Sequence, residues 1–255
     1  MRLRRIIEHL KAQQWTAVWI DLVIVVVGVF IGIQVSNWNQ ARADGQRERL
    51  LLVDLRAELA ESIRQTEVRQ RAFGQIARSG KQAEAFLDAG QSCGDQCWPV
   101  LVDFFHASQW QSMPVGLPTY DEMRRSGWPR QRQIVDAVEA YLRQARQVAV
   151  PLQQPPAYRA QVRGLIPLPI HEPYWTTCFQ LSNGEEAYVQ DCPQGVAPAI
   201  SAAGIAAIVN DQGIRRSLTE WTGFTHGFYR SLDSQNDAAE HALVLIDAEL
   251  AKADR

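Results

Sequence analysis

A long apolar run near the start of the chain, residues 17–36, reads AVWIDLVIVVVGVFIGIQVS. At about 1.5 Å per residue, a helix of this length crosses a hydrocarbon core of about 30 Å. Because a helix satisfies its own backbone N–H and C=O groups in lipid, the many β-branched residues do not predict a strand here. Trp15 and Trp38 flank the run, where interfacial aromatic residues are typically found. The pattern predicts a transmembrane helix over residues 16–37.

The sequence on either side of this run bears on its orientation. Four basic residues precede the run and three arginines follow it closely, so charge alone decides little. All four cysteines lie downstream, and an even number of cysteines in such a chain favours disulfides in an oxidising compartment. We therefore expect residues 1–15 in the cytoplasm and residues 38–255 outside it. A cleaved signal peptide is the alternative, but the A-x-A pattern at residues 41–43 lies well beyond the apolar run.

Three small residues within the run recur every four positions: Gly28, Gly32 and Ser36. Such a stripe lets two helix backbones approach closely in lipid and predicts helix association, although glycine is also common in membrane helices generally. Asp21 lies about one turn inside the predicted span, where a carboxylate costs a few kcal/mol unless it reaches water or a partner. It either extends toward the cytoplasmic interface or pairs with a polar group of another chain.

Beyond the run, apolar residues recur with a helical period over most of the chain. Apolar stripes predict a long helix over residues 40–78 and a short helix over residues 81–88. Further helices are predicted over residues 99–110 and around residues 134–148. The last long helix is predicted to begin after Asp211, as its cap, and to reach about residue 253.

Two stretches between these helices carry their own local patterns. Thr119 with Glu122 three residues later is a capping box, which predicts a short helix that ends at Gly127. Six prolines between residues 151 and 175 exclude one regular element, while the apolar residues among them favour an ordered crossover. The predicted fold class is mostly α: a single N-terminal transmembrane helix continues into an elongated extracytoplasmic helical bundle with a small disulfide-tied hairpin.

The four cysteines form two local pairs, Cys93 with Cys97 and Cys178 with Cys192. Disulfides are the preferred interpretation. A zinc site or free thiols remain alternatives, although C-x3-C and C-x13-C lack the spacing of common zinc sites. Asn-Gly at residues 183–184 is a turn signal between the second pair. If those two cysteines face each other across a hairpin, the loop must contain three to five residues.

Part of this sequence resembles a large family of bacterial single-pass membrane proteins catalogued as a domain of unknown function. The likeness lies in Asp21, in the glycine-containing valine-rich span, in the exit NWN at residues 37–39 and in RERLLLVDLRAEL at residues 47–59. It is specific over residues 20–60.

A second stretch of likeness is TYDEMRRSG at residues 119–127, which is similar to the family's turn of Thr-Tyr-acidic residue followed by Ser/Thr-Gly. The likeness here covers residues 118–145 and is loose elsewhere, since the cysteine pairs and the proline-rich stretch have no counterpart. The resemblance implies a membrane location and a mostly helical domain, and it implies no known activity.

The charge and the candidate chemistry narrow the function classes. The net charge of -2 argues against a nucleic-acid partner, since such a protein normally has a basic face. No two of the five histidines are three or four residues apart, and the sequence motifs of phosphate-binding loops, dinucleotide sites and nucleophile elbows are absent. We therefore expect no enzyme activity, no catalytic residue, no cofactor and no metal.

Two functions remain as hypotheses. The first is a structural or interaction protein in the lipid bilayer, either a homo-oligomer or an accessory subunit of a membrane-protein partner, associating through Gly28, Gly32, Ser36 and Asp21. The alternative is a periplasmic sensor-like binding module for a small molecule or a lipid. Its candidate ligand contacts are two tryptophans and two arginines: Trp128, Trp175, Arg124 and Arg125.

Overall fold

The computed structural model describes residues 15–252, and the side chains of residues 19–252. The predicted cytoplasmic segment with its basic residues lies outside this range, as does the side chain of Trp15. The described part is mostly helical and has one two-stranded sheet. Its α-helices are α1 (Trp15–Ala89), α2 (Cys97–Ala107), α3 (Pro118–Arg125), α4 (Arg132–Ala149), α5 (Ala157–Leu165), α6 (Leu168–Pro173), α7 (Pro198–Asn210) and α8 (Gln212–Lys252).

The chain divides into two compact units, residues 1–51 and residues 52–255. In the first unit, the apolar window of α1 has a mean hydropathy of 2.2 and none of it is buried. The large apolar side chains between Trp19 and Val35 are 46–64% exposed. By length and composition, this helix could cross a membrane.

The second unit is built around an apolar core shared by several helices. The predicted stripe of α1 is buried, with Leu55 and Leu59 at 0% exposure and Phe73 at 1%. The ring of Phe73 meets that of Phe228 of α8 edge-on, with centroids 5.2 Å apart. Helix α4 packs along α8, and α2 packs against α7. Each fully buried large apolar side chain stabilises such a core by about 1.5–3 kcal/mol, so the predicted helical period places the residues that hold this unit together.

Helix α1 corrects the prediction of two helices over residues 40–78 and 81–88, because it continues through both without a break. A Cβ atom built on Gly80 would lie 2.4 Å from the hydroxyl oxygen of Thr222. The glycine therefore permits the close approach of α8 and does not end the helix.

The start of α3 also differs from the prediction. The helix begins at Pro118, which suits a first helical position, and no side chain caps it. Thr119 is inside the helix, where its N–H donates to the Glu58 carboxylate of α1 and its hydroxyl donates to Glu58 Oε1 at 2.7 Å. The predicted helix is present, but the predicted capping box is wrong because a carboxylate from another helix takes the free N–H group.

Two other local predictions are confirmed. Asp211 Oδ1 accepts hydrogen bonds from the N–H groups of Gly213 (2.8 Å) and Ile214 (3.1 Å), so Asp211 caps α8. The proline-rich stretch is ordered, and it forms α5, α6 and a π-helical turn, Tyr174–Cys178. Tyr158 and Ile170 of this stretch are fully buried, which explains why it is not a free linker.

The sheet is a hairpin of β1 (Phe179–Ser182) and β2 (Glu185–Tyr188), antiparallel, with Ser182 opposite Glu185. The loop is therefore the two residues 183–184, and both have positive φ, 52° and 79°, as a type I′ turn requires. The predicted loop of three to five residues is wrong. It assumed that Cys178 and Cys192 are opposite each other, whereas the residue bonded to the Cys178 carbonyl is Val189.

Both disulfides join the predicted partners, Cys93 to Cys97 and Cys178 to Cys192. The described residues include no free cysteine. Cys178 and Cys192 are 0% and 7% exposed, so the second bridge fixes the hairpin against the core.

Candidate functional site

The predicted association residues lie on the exposed part of α1. At 3.6 residues per turn, Asp21, Gly28 and Gly32 share a face within about 40°, and Ser36 lies on its edge. A Cβ atom on either glycine would meet nothing within 4 Å, so this face is open. Just beyond it, the guanidinium of Arg42 lies over the ring of Trp38, 5.8 Å from its centroid.

The predicted ligand residues around Trp128 form hydrogen bonds that stabilise the turn after α3. Trp128 is only 7% exposed, and its N–H donates to the Met123 carbonyl at 2.8 Å. Arg124 Nη1 donates to the Trp128 carbonyl at 3.3 Å, whereas Arg125 is exposed. These contacts fix the end of α3 and leave the indole ring largely inaccessible to a ligand.

Trp175 belongs to a different cluster, in the π-helical turn. Its ring meets those of Phe105 and Phe179 edge-on, with centroids 5.7 and 5.0 Å apart. The guanidinium of Arg163 lies 4.9 Å from the Phe105 centroid and 5.2 Å from that of Trp175. Two aromatic rings thus hold one cation, a favourable arrangement.

Burial affects the pKa of the Arg163 guanidinium. Its Nε donates to Ser108 Oγ at 2.8 Å, while its Nη2 atom is buried and has no hydrogen-bond partner among the described residues. Desolvation, followed by the neighbouring Arg159, lowers the pKa of Arg163 to about 10, so the guanidinium stays charged at neutral pH. Because the buried nitrogen is closed off from solvent, this cluster is a packing feature.

The two tryptophans do not form one pocket. Thr119, in the helix next to Trp128, binds Glu58 of α1, whereas the hairpin next to Trp175 binds Gln75 through the N–H of Tyr188. Seventeen residues of helix separate Glu58 and Gln75, or about 25 Å. The structure therefore separates the predicted ligand residues into two places.

His106 is the most deeply buried of the described histidines, with 0% exposure. Desolvation lowers its pKa to about 4, so the ring is neutral near pH 7. Its Nε2 is 3.2 Å from the Cys178 carbonyl, which can only accept, and its Nδ1 is 3.4 Å from the Gln190 amide nitrogen. The neutral ring thus links α2 to the second disulfide. Among the residues described, no group of three or more potential ligands could hold a metal ion.

A concavity of about 430 Å³ between α1 and α8 is the feature that sequence reasoning missed. We call it the cationic groove. Its lining residues come from both helices: Gly74, Ala77, Arg78, Lys81, Thr225, His226, Tyr229 and Arg230. Three of these residues are cationic and none is acidic. In the described part of the chain, the side chains of Arg78, Lys81 and Arg230 have neither an ion pair nor a hydrogen bond.

A second concavity of about 610 Å³ adjoins the groove and shares Gly74, Arg78 and Tyr229 with it. It adds Arg71 and three glutamates to the lining. Two of those glutamates already have partners, since Glu185 pairs with Arg64 and Glu186 accepts the Tyr188 hydroxyl at 2.8 Å. Neither of these two carboxylates is therefore committed to Arg71 or Arg78.

The α1 side of the groove could have been recognised from the sequence. Arg71, Gly74, Arg78 and Lys81 follow one another at spacings of three, four and three, which places them along one side of α1. The matching stripe on α8 is recognisable only once the register between the two helices is known.

Comparison of the chain with protein-family models, with curated proteins and with solved structures found no match. The resemblance described above therefore stays a prediction, and the function has to be argued from the residues.

Proposed function

We propose that this chain is a single-pass inner-membrane protein that anchors a periplasmic helical domain and acts by association, with itself or with a membrane-protein partner. The observation that carries this proposal is the apolar window of α1, none of which is buried. No side chain among the described residues of the first unit covers it, and apolar surface of that extent is stable in lipid but not in water.

The open face of the same window supports association. Gly28 and Gly32 leave room for a second helix backbone, and such close packing is a main source of helix attraction in lipid. Asp21 lies on that face, where a polar group of a partner helix would relieve its cost in the membrane.

Crosslinking in intact cells, followed by mild-detergent purification and mass spectrometry, tests this function. A stoichiometric membrane protein would make the chain an accessory subunit, and self-crosslinked protein alone would make it a homo-oligomer. The variant Gly28→Leu/Gly32→Leu should lose the crosslinked species. Val23→Leu/Val26→Leu, on the opposite face of the helix, is the matched control and should keep it. Association that survives the glycine variant contradicts the proposed contact.

A binding module is a second candidate function, and the cationic groove favours it. The groove has the size of a small-molecule site and has lining charges of one sign. It replaces the tryptophans and arginines expected from the sequence as the place where a ligand would bind.

A further inference from the structure

The three cations of the groove converge from two helices onto one concavity. Arg78 and Lys81 are three residues apart on α1, and Arg230 faces them from α8. From this geometry we infer that the groove binds a phosphate group carried by a small solute or by a lipid headgroup. The inference rests on the second candidate function and specifies its ligand.

The charge balance favours phosphate over a single carboxylate. A carboxylate supplies one negative charge against three cations, whereas a phosphate monoester carries about -1.5 to -2 and three strong acceptor oxygens near pH 7. Each arginine can bind two of these oxygens with its planar fork, and Lys81 adds a mobile point charge. No lining residue competes with the ligand, because none of the eight is a carboxylate.

Two other surface arginines of the same two helices are neutralised within the chain. Arg56 pairs with Asp247, and Arg215 pairs with Asp88. Arg78 and Arg230 lie on the same two helices, α1 and α8, yet among the described residues they have no such carboxylate. Because the uncompensated cations repel one another across the groove, a bound dianion lowers their electrostatic energy.

The rest of the groove suits the part of the ligand that carries the phosphate. Gly74 has no side chain, and a Cβ atom there would meet nothing within 4 Å, so the floor is open. Tyr229 is 48% exposed and offers an aromatic face, and its hydroxyl is a further donor. A volume of about 430 Å³ holds a phosphate together with a glycerol or a sugar unit.

Calorimetric titration of the full-length protein in phosphatidylcholine nanodiscs tests this inference at fixed ionic strength. The probes are inorganic phosphate and water-soluble dihexanoyl phosphatidic acid, with dihexanoyl phosphatidylcholine as the control lipid. We expect a phosphate probe to bind the wild type, and Arg78→Gln/Lys81→Gln to weaken that binding at least tenfold. Arg143→Gln/Arg146→Gln removes two exposed cations of α4 and should leave the affinity within twofold.

Gly74→Leu provides an independent variant. It fills the floor of the groove, retains every charge and meets no neighbouring atom within 4 Å at its Cβ. It should also weaken phosphate binding at least tenfold, whereas an attraction to surface charge alone would leave its affinity unchanged and overturn the inference.

The two probes distinguish the sources of the phosphate. Binding of phosphatidic acid without inorganic phosphate supports a lipid headgroup, and similar binding of both supports a free phosphate or a phosphorylated solute. If neither phosphate probe binds, but citrate binds and its affinity falls in Arg78→Gln/Lys81→Gln, the inference of a phosphate ligand is wrong. The proposed function as a binding module is then retained. If no anion binds, or if the α4 control weakens binding as much as the groove variant does, both are overturned.

Discussion

Gly80 of α1 lies directly against Thr222 of α8, so closely that a Cβ atom at position 80 would be 2.4 Å from the threonine hydroxyl oxygen. That oxygen is buried and has no hydrogen-bond partner among the described residues. The two helices therefore approach each other closely beside the cationic groove, at a position where only a hydrogen atom fits.

Gly80→Ala should lower the free energy of unfolding by about 1–3 kcal/mol, because the added methyl group overpacks the contact. Urea denaturation of the full-length protein in detergent, followed by circular dichroism, measures this change. Gly74→Ala is the matched control on the same helix. Its Cβ meets nothing, so it should be neutral or stabilise the helix by up to about 1 kcal/mol.

A second variant separates the steric clash from any other effect of alanine at position 80. Thr222→Ala removes the atoms nearest the new methyl group, so Gly80→Ala/Thr222→Ala should recover most of the lost stability. A double variant no more stable than Gly80→Ala would refute the close approach.

The two disulfides should differ in what they contribute. Cys178–Cys192 closes a loop with a sequence separation of 14, and Cys93–Cys97 closes one of 4. The loop-entropy relation gives about 3 kcal/mol for the longer loop and about 2 kcal/mol for the shorter. Paired Cys→Ala variants compared by urea denaturation should show this order, and a reversed order would contradict the role assigned to the second bridge.

The stability of the protein should have an unusual pH profile, because two groups of α2 titrate in opposite senses. Desolvation lowers the pKa of His106 from 6.5 to about 4, so the unfolded chain binds the extra proton between these values and stability falls as pH falls. Desolvation raises the pKa of Asp103 from 3.8 to about 6, so the folded chain binds the extra proton and stability falls as pH rises through that range.

Between about pH 4 and 6 these two contributions oppose each other, and single variants should separate them. Relative to the wild type, Asp103→Asn should steepen the rise of stability with pH, and His106→Gln should flatten or reverse it. Guanidinium denaturation at half-unit steps from pH 4 to 7 measures the difference. Parallel profiles for all three proteins would refute both shifts.

The Trp175 cluster should affect stability more than binding. Arg163→Lys loses the planar group that lies between two rings, and we expect it to cost about 1–2 kcal/mol. Arg143→Lys on α4 is the exposed control and should be within about 0.5 kcal/mol of the wild type. If Arg163→Lys leaves stability unchanged but weakens the binding of an anion, the cluster is a ligand-binding site and not a packing feature.

Hydrophobic period predicted the helices of this chain well, because burial of an apolar stripe depends on local spacing alone. It failed where a distant contact decides the outcome. Thr119 suggested a helix cap, but its N–H group donates to Glu58 of α1. The pattern ended one helix at residue 78 and began another at residue 81, but α1 is continuous there and Gly80 lies against α8. The cationic groove could not be predicted for the same reason, since the cations of α1 form a candidate site only together with the residues of α8.

The proposed periplasmic location of residues 38–255 can be tested with reporter fusions. Alkaline phosphatase fused after residue 252 should be active in a bacterial host, because that enzyme needs disulfides that form in the periplasm. Green fluorescent protein fused at the same position should not fluoresce, because the general secretory route exports it in the unfolded state.

The proposed orientation also predicts the redox state of the four cysteines. In the periplasm, mass spectrometry after thiol alkylation should find all four cysteines protected, as the two bridges require. A fluorescent fusion together with four alkylated cysteines would place the domain in the cytoplasm. The cationic groove would then face cytoplasmic solutes, and the anchor would have to be inserted in the opposite sense.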